Sequence, residues 1–341
     1  MMQQNRIVTQ QKLLNEKGLL ANPGYATEPL FDYDRELIAA SKWRIKEWDY
    51  YAALTRDYGV AFVISDLGYS ALISVVFLDF QKKAIQKKTL LQWFPFGSLK
   101  LPKSSLEGDV HFHKKGVDLS FVRTPEQRVI TAHIQDFLPE QDFHAELILE
   151  DLKDESLVIA TPWAHKPKAF YYNQKINCMP TEGVVKIGNA RYVFSKKTAF
   201  SVLDWGRGVW TYKNTWYWGS LSGIVNGKRF GMNLGYGFGD TTQATENMVF
   251  YEGKAHKLDQ VSFTIQEPDF LKPWKFHDNE GRLQMTMKPL IDREDTMNLG
   301  IIKNLGHQVF GKFSGTVLLD DGSKIDFQDV IGFAEKITNH Y

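Results

Sequence analysis

The sequence predicts an all-β protein made of two consecutive antiparallel barrels. Aromatic residues make up 13% of the 341 residues, and 26 residues are glycine. Runs with helical periodicity are few, whereas short β-rich runs alternate with turn signals along most of the chain. A chain of this length can form two domains, each with its own hydrophobic core.

An N-terminal arm, residues 1–42, is predicted to precede the first barrel. Thr9–Lys17 favours a short helix that ends at Gly18, because glycine suits the position after a helix C-terminus. The following segment contains Pro23, Gly24 and Pro29, and we expect it to wrap over the surface as an irregular arm.

The first barrel is predicted over residues 43–180. Eight β-rich runs separated by turn residues are typical of an up-and-down meander, namely Val60–Asp66, Ser70–Phe80, Ala84–Trp93, Gly108–His113, Val117–Arg123, Arg128–Ile134, Phe143–Glu150 and Ser156–Ile159. Thr161–Pro180 contains Pro162, Pro167 and several lysines, so it is predicted to link the two barrels.

The second barrel is predicted over residues 181–341 and is expected to carry the motif Asp204-Trp205-Gly206-Arg207-Gly208. Asp320-Asp321-Gly322-Ser323 indicates a hairpin turn near its end. Its later strands are predicted at Lys254–Gln266, Trp274–His277, Leu283–Leu290, Asn298–Leu305, Gln308–Asp320 and Lys324–Lys336.

The stretch Phe200–Tyr251 is the richest in Trp, Tyr and Gly. Asn226-Gly227 between two β-rich runs predicts a type I′ hairpin turn, so that Val225 pairs with Lys228. Counting outward gives one apolar face, with Tyr217, Leu221, Val225, Phe230, Met232, Leu234 and Tyr236. The opposite face is mixed and carries Trp216, Trp218, Ser220, Ser222, Ile224, Arg229 and Asn233.

The mixed face of this hairpin is a candidate ligand wall. The register places Trp216 opposite Gly237 and Trp218 opposite Gly235, so that each indole can lie across a residue without a side chain. The same pattern also fits aromatic residues that cover glycines on an ordinary sheet. The sequence leaves both interpretations open.

The motif around Asp204 is the candidate catalytic segment. Its glycines allow a sharp bend that would bring Asp204 close to Arg207, either as a reactive pair or as a structural ion pair. Glu246-Asn247 begins the next strand and is expected to return toward Asp204. The candidate catalytic residues are Asp204, Arg207, Tyr212 and Glu246, and the candidate ligand-contacting residues are Trp205, Trp210, Trp216, Trp218, Ser220, Asn233 and Asn247.

The order of these motifs resembles two known families. Leu203-Asp204-Trp205-Gly206-Arg207-Gly208-x-Trp210, followed by Trp216-x-Trp218 and the Asn226-Gly227 hairpin, resembles the signature region of carotenoid 1,2-hydratases and AttH-like proteins. Over its full length, including Arg44-Ile45-Lys46-Glu47-Trp48-Asp49-Tyr50-Tyr51, the chain more closely resembles a bacterial family known as domain of unknown function 2804. The hydratase motif has a histidine where this sequence has Trp205, so the matching positions are Asp204, Trp216 and Trp218.

The resemblance implies that the two barrels are lipocalin-like. It also implies a cofactor-independent enzyme that adds or removes water or a proton at an unsaturated centre of a largely apolar small molecule. Two alternatives remain open. Paired carboxylates and indoles also describe a carbohydrate-active enzyme, and an aromatic cup also suits a non-catalytic carrier of hydrophobic ligands.

Composition limits the partners and the compartment. Lys and Arg number 41 against 40 acidic residues, so no nucleic-acid partner is expected. The single cysteine, Cys178, argues for a reducing compartment. The N-terminus lacks the apolar core of a signal peptide, and the longest apolar run, Ser70–Phe80, is too short to span a bilayer. We therefore expect a soluble, cytoplasmic protein with no transmembrane segment; its oligomeric state stays open.

Histidine spacing was the remaining indication of a metal. His111 and His113 lie on one side of a predicted strand, but no third ligand is near them in sequence. A metal is therefore not expected, and the resemblance implies that no cofactor is needed.

Overall fold

The computed structural model describes residues 4–298 and 303–340. Within these ranges the chain forms β-strands and one short 3-10 turn, Arg35–Leu37. None of the described helical segments is long and apolar enough to cross a membrane. The strands are β1 Gln11–Lys12, β2 Gly24–Ala26, β3 Phe31–Asp32, β4 Ile45–Leu54, β5 Tyr58–Asp66, β6 Ser70–Asp79, β7 Ala84–Trp93, β8 Val110–Lys114, β9 Val117–Arg123, β10 Gln127–Leu138, β11 Gln141–Glu150, β12 Leu157–Trp163, β13 Lys166–Ile187, β14 Ala190–Phe194, β15 Phe200–Val209, β16 Lys213–Val225, β17 Lys228–Tyr236, β18 Met248–Tyr251, β19 Lys254–Lys257, β20 Val261–Thr264, β21 Trp274–Asp278, β22 Leu283–Asn298, β23 Lys303–Leu318 and β24 Lys324–His340.

Two large antiparallel sheets contain almost all of these strands. The first has 13 strands in the order β7-β6-β5-β4-β15-β13-β11-β10-β9-β8, with β12 beside β13 and β2, and with β14 also beside β13. The second has nine strands in the order β19-β18-β17-β16-β24-β23-β22-β21-β20. The prediction of an all-β protein with two lipocalin-like barrels is confirmed. The predicted strand Asn298–Leu305 lies partly outside the described residues.

Each sheet curls around its own core, and a third apolar cluster lies between the sheets. Phe62 and Leu147 belong to the core of the first sheet, and Phe230 and Trp274 belong to that of the second. The third cluster combines side chains from both sheets, including Ala52, Tyr171, Trp210, Trp218, Phe310 and Phe333. The two barrels therefore pack against each other through a buried interface.

The hairpin at Asn226-Gly227 has the predicted register. Val225 pairs with Lys228 and Trp218 pairs with Gly235, and positive φ angles of 53° at Asn226 and 76° at Gly227 fit a type I′ turn. The ladder ends at the pair Tyr217–Tyr236, so the predicted pair Trp216–Gly237 lies just beyond it. The predicted apolar face packs into the second core, and the mixed face points toward the first sheet.

The predicted N-terminal helix at Thr9–Lys17 is wrong. This segment is extended: β1 pairs with β3 in parallel, and Leu13 donates its backbone N–H to the carbonyl of Asp32 at 3.0 Å. Its adjacent leucines, Leu13 and Leu14, are both buried, so both sides of the extended segment are covered by the rest of the chain. Tertiary pairing has therefore overridden the weak local helix signal.

The predicted linker at Thr161–Pro180 is also wrong, because this segment forms the end of β12 and most of β13. Pro162 and Pro167 lie near the turn that joins these strands, where the register shifts, so they end one strand and begin the next. Lys175 is buried in the middle of β13. The prolines and lysines that suggested a linker therefore belong to a hairpin and to a strand of the first sheet.

The strand that carries the Asp204 motif belongs to the first sheet. It lies between β4 and β13, with Asp204 opposite Tyr50 on one side and opposite Lys175 on the other. Placing this motif in the second barrel was therefore wrong, since β15 pairs with β13 and with β4, a strand more than 100 residues earlier. The division of the chain into domains at residues 180 and 181 stays a prediction.

Candidate active site

A buried ion pair on the first sheet forms the centre of the candidate site. Alternation along β15 turns Asp204 toward the second sheet, and Lys175 lies opposite it on β13, with Nζ 2.9 Å from Oδ1. Asn173 Nδ2 donates a second hydrogen bond to the same oxygen at 2.6 Å. The side chains of Lys175 and Asp204 are 1% and 9% exposed. Such a pair is stable only when each charge compensates the other.

The ion pair contacts the hairpin of the second sheet. Lys175 Nζ lies 3.9 Å from the centre of the Trp218 ring, a cation–π contact. Trp218 Nε1 donates to Asn233 Oδ1 at 2.7 Å, and Asn233 Nδ2 donates to the backbone carbonyl of Glu246 at 2.7 Å. A continuous set of polar contacts therefore runs from Asp204 across the interface to the segment that holds Glu246.

Glu246 is the second acid of the site, as expected from its predicted return toward Asp204. Its Oε2 accepts a hydrogen bond from the Tyr171 hydroxyl at 3.3 Å, while its buried Oε1 has no partner within the described part of the chain. The pKa of Glu246 is raised to about 8, chiefly by burial; the Lys175 charge opposes this rise and the Asp204 charge adds to it. Glu246 is therefore largely protonated near neutral pH.

Glu335 is a third acid, which the sequence analysis missed. Its Oε1 accepts from Trp216 Nε1 at 2.9 Å, and its Oε2 accepts from Gln308 Nε2 at 3.0 Å. Burial raises its pKa to about 7, with Asp204 adding to the shift and Lys175 opposing it. A signal was present, because Glu335 continues the alternation of Ile331 and Phe333 along β24, where an inward position is usually apolar. We call Asp204, Lys175, Asn173, Tyr171, Glu246 and Glu335 the central cluster.

Aromatic rings cover one side of the central cluster. Trp210 and Trp216 meet edge to face with ring centres 5.0 Å apart, and Phe238 lies 5.7 Å from Trp216. Trp48 and Trp163 lie 5.5 and 5.8 Å from Trp210. Trp48, Trp163 and Trp216 are partly exposed, whereas Trp210 is buried and its Nε1 has no partner among the described residues. We call these five rings the aromatic wall.

Two predicted site residues lie on the other side of β15. Arg207 is three positions after Asp204, and an odd spacing in a strand places two side chains on opposite faces. Arg207 instead bonds Asp49 Oδ1 at 2.9 Å and stacks over the Trp205 ring at 4.0 Å, inside the first barrel. The predicted closeness of Asp204 and Arg207 is therefore wrong, and Trp205 lies apart from the aromatic wall.

The remaining predicted residues lie around the central cluster or outside it. Ser220 Oγ accepts from Asn177 at 2.8 Å, which joins the hairpin to β13. Asn247 accepts from the backbone N–H of Gly235 at 2.8 Å and donates to the Asp259 carbonyl at 2.7 Å, so it fixes the segment that carries Glu246. Tyr212 is 50% exposed, beyond the end of β15.

Gly235 provides the space that Glu246 occupies. A Cβ atom at this position would lie 2.7 Å from Glu246 Oε1 and 3.0 Å from the Tyr217 carbonyl. Gly235→Ala is therefore expected to displace Glu246 and to lower the free energy of unfolding by about 1–3 kcal/mol. Urea denaturation measures this loss. Gly219→Ala is the matched control, since its Cβ would meet its nearest neighbour at 3.5 Å; equal losses in both variants would contradict the packing argument.

The family model described as Domain of unknown function (DUF2804) matches residues 4–341. The chain belongs to this family. The resemblance found in the sequence is thereby confirmed over nearly the whole chain. No curated protein matches the DUF2804 chain significantly in sequence.

Solved structures with a similar fold include an AttH-like protein from Nitrosomonas europaea, with a TM-score of 0.54 and 13% identity over 91% of this chain and 98% of that chain. Kievitone hydratase from Nectria haematococca has a TM-score of 0.49 and 10% identity, covering 86% of this chain and 88% of its own. CghA with Sch210972 also has a TM-score of 0.49, with 11% identity over 96% and 97% of the two chains. At 13% identity, the likeness to the AttH-like protein shows that the DUF2804 chain shares its fold.

Proposed function

We propose that this DUF2804 chain is a cofactor-independent enzyme that adds or removes water, or moves a proton, at a carbon–carbon double bond of a largely apolar small molecule. The observation that carries the proposal is Glu246, a buried acid with a pKa of about 8 and one unpartnered oxygen, placed beside the Asp204–Lys175 ion pair. Acids and bases with displaced pKa values in one buried site are characteristic of proton-transfer enzymes.

Glu246 has the properties of a general acid. It carries its proton near neutral pH, and a pKa close to the working pH favours proton transfer in the transition state. Tyr171 holds Oε2 in place, and the buried Oε1 has no hydrogen-bond partner among the described residues, so it can bond a ligand that reaches it. In hydration, the Glu246 proton would join one carbon of the double bond.

Asp204 would complete the reaction as the base. Lys175 Nζ forms an ion pair with its Oδ1, and Asn173 Nδ2 donates a hydrogen bond to the same oxygen. The oxygen of a water molecule would bond to the second carbon while a proton of that water passes to Asp204; return of a proton to Glu246 restores the starting state. If Asp204 instead removed a proton from the neighbouring carbon after Glu246 had protonated the double bond, the double bond would shift without addition of water.

The aromatic wall favours an apolar ligand. Protonation of a double bond places positive charge on carbon, and indole faces stabilise such a charge. Trp48, Trp163 and Trp216 are partly exposed and mark the side from which a ligand would enter. The buried polar atoms without partners near the described cluster are few, Glu246 Oε1, Asn173 Oδ1 and Trp210 Nε1. A sugar carries many hydroxyl groups that need hydrogen-bond partners when buried. The small number of unpartnered polar atoms here therefore favours an apolar ligand over the carbohydrate alternative.

The carrier alternative explains the aromatic wall but not the acids. Burying charged or titratable groups costs free energy, and a carrier of apolar ligands gains nothing from three acids and a lysine at its centre. The acids are therefore the feature that favours catalysis.

The proposal is tested by binding and conversion together. Quenching of tryptophan fluorescence by a panel of isoprenoids, unsaturated fatty acids, phenolic compounds and sugars would identify a ligand. Mass spectrometry in ¹⁸O-labelled water would detect its hydration or dehydration, and uptake of deuterium from D₂O would detect its isomerisation. Glu246→Gln is expected to slow turnover by about 10²–10⁴-fold with little change in binding. Glu252→Gln, an exposed acid beyond the end of β18, is the control. Binding without conversion would support the carrier, and binding restricted to sugars would support the carbohydrate alternative.

A further inference from the structure

Histidine and aspartate residues form a transverse row on the outer face of the first sheet. His113 on β8 pairs with Asp118 on β9, Asp118 pairs with His133 on β10, and His133 pairs with His144 on β11. Alternation places these four side chains on the face opposite the barrel core. These four side chains therefore lie on a different face of the first sheet from the central cluster, which faces the second sheet.

Three side chains at one end of this row converge. The rings of His133 and His144 stack with centres 4.3 Å apart and planes 10° apart. His133 Nε2 lies 3.2 Å from Asp142 Oδ2. One ligand atom from each of His133, Asp142 and His144 lies within 4.8 Å of the others. The register of β10 and β11 thus brings the two imidazoles together, and Asp142 lies two positions before His144 on the same strand.

The carboxylate of this group is oriented by the backbone. β10 has a bulge between Ile134 and Leu138, and within it Asp136 adopts a positive φ of 46°. Its N–H donates to Asp142 Oδ1 at 3.0 Å, which leaves Oδ2 directed at His133. This hydrogen bond, followed by that from His133, lowers the pKa of Asp142. An outer hydrogen bond of this kind fixes the orientation of a metal ligand.

We propose that His133, Asp142 and His144 bind a divalent cation of the zinc class through two imidazole nitrogens and one carboxylate oxygen. This donor set is typical of zinc, with water completing the coordination. Metal–ligand bonds of the usual length separate neighbouring ligand atoms by about 3.3 Å in a tetrahedron, close to the distance found between His133 and Asp142. The ligand atom of His144 lies farther from the other two, up to 4.8 Å away, and rotation of this exposed side chain would bring it to the same distance.

The surroundings limit the affinity. Lys186 is the register partner of His144 on β13, and Lys88 Nζ donates to the Asp136 carbonyl at 3.0 Å. The positive charges of these two lysines disfavour binding of a metal cation nearby. The negative charge of Asp118, beside His133, favours it. We therefore expect this site to bind zinc more weakly than a structural site with four protein ligands.

The experiment uses the full-length chain without a histidine tag, stripped of metal by a chelator and dialysed. Calorimetric titration with Zn²⁺ is expected to give one site per chain, and Co²⁺ is expected to give visible absorption bands with nitrogen and oxygen ligation. His133→Ala and His144→Ala are each expected to weaken Zn²⁺ binding by about tenfold or more. His111→Ala is the matched control, an exposed histidine on the same face that contacts Ser120; it should bind as wild type does. Circular dichroism verifies that each variant is folded. Absence of Zn²⁺ binding to folded wild type, or equal binding by all variants, would overturn the proposal.

Discussion

Asp204→Asn is expected to lower the free energy of unfolding by about 3–5 kcal/mol, because it leaves the Lys175 ammonium buried without its counter-charge. The change removes the charge but keeps the shape, and the new amide oxygen can still accept the bond from Asn173. The Lys175 side chain is 1% exposed, so bulk solvent compensates little of the charge that the lost carboxylate had balanced. Urea denaturation followed by circular dichroism measures the loss.

A double variant separates the charge from the packing. Lys175→Met combined with Asp204→Asn removes both charges and places a thioether beside the Trp218 indole, a favourable contact. It is expected to recover most of the stability that Asp204→Asn loses, since replacing a whole buried pair is often neutral or stabilising. It should not recover turnover, because the proposed base is absent. Equal destabilisation of the single and double variants would show that the ion pair is not the cause.

Glu246→Gln is expected to change how stability depends on pH. The pKa of Glu246 is 4.5 in its ordinary state and about 8 in the folded chain. Between these values the folded state holds a proton that the unfolded state has released, so the free energy of unfolding of the wild type falls as pH rises. Glutamine does not titrate. The free energy of unfolding of the variant should therefore rise relative to that of the wild type by on the order of 4 kcal/mol between pH 4.5 and pH 8.

Urea denaturation of both proteins across this pH range measures the effect, and the difference between them cancels the titration of surface groups. Glu335 contributes a slope of the same sign up to about pH 7, and it remains in both proteins. A difference between wild type and Glu246→Gln that does not change with pH would mean that Glu246 is ionised in the folded chain.

Local patterns were sufficient for much of the fold. Turn chemistry at Asn226-Gly227 determined the register of β16 and β17, because a two-residue turn leaves one pairing. Breaks of glycine, proline and charge separated most strands of the first sheet within a few residues of their observed bounds. The apolar face of the hairpin was also correctly separated from its mixed face. These features depend on neighbours in sequence, so they can be read from sequence.

The site depended on pairing between distant strands. Lys175 was hidden because prolines near a turn resembled a linker, and its partner Asp204 lies 29 positions later on a strand whose neighbours are β4 and β13. Nothing local indicates which distant strands a segment joins. Strand parity, by contrast, was available and would have separated Asp204 from Arg207. Glu335 could have been found as an acid at an inward position of β24.

The proposed mechanism requires Glu246 to be a protonated acid within the interface between the two barrels. Infrared titration of the wild type minus Glu246→Gln measures the protonation of this one carboxyl group directly, with Glu335→Gln titrated in parallel to assign the other acid. Glu246 is expected to be a neutral carboxylic acid at pH 7 and to ionise near pH 8. In Asp204→Asn the midpoint of this ionisation is expected to be lower, because the Asp204 charge raises the Glu246 pKa. A carboxylate at pH 7 that titrates near its ordinary value of 4.5 would contradict it.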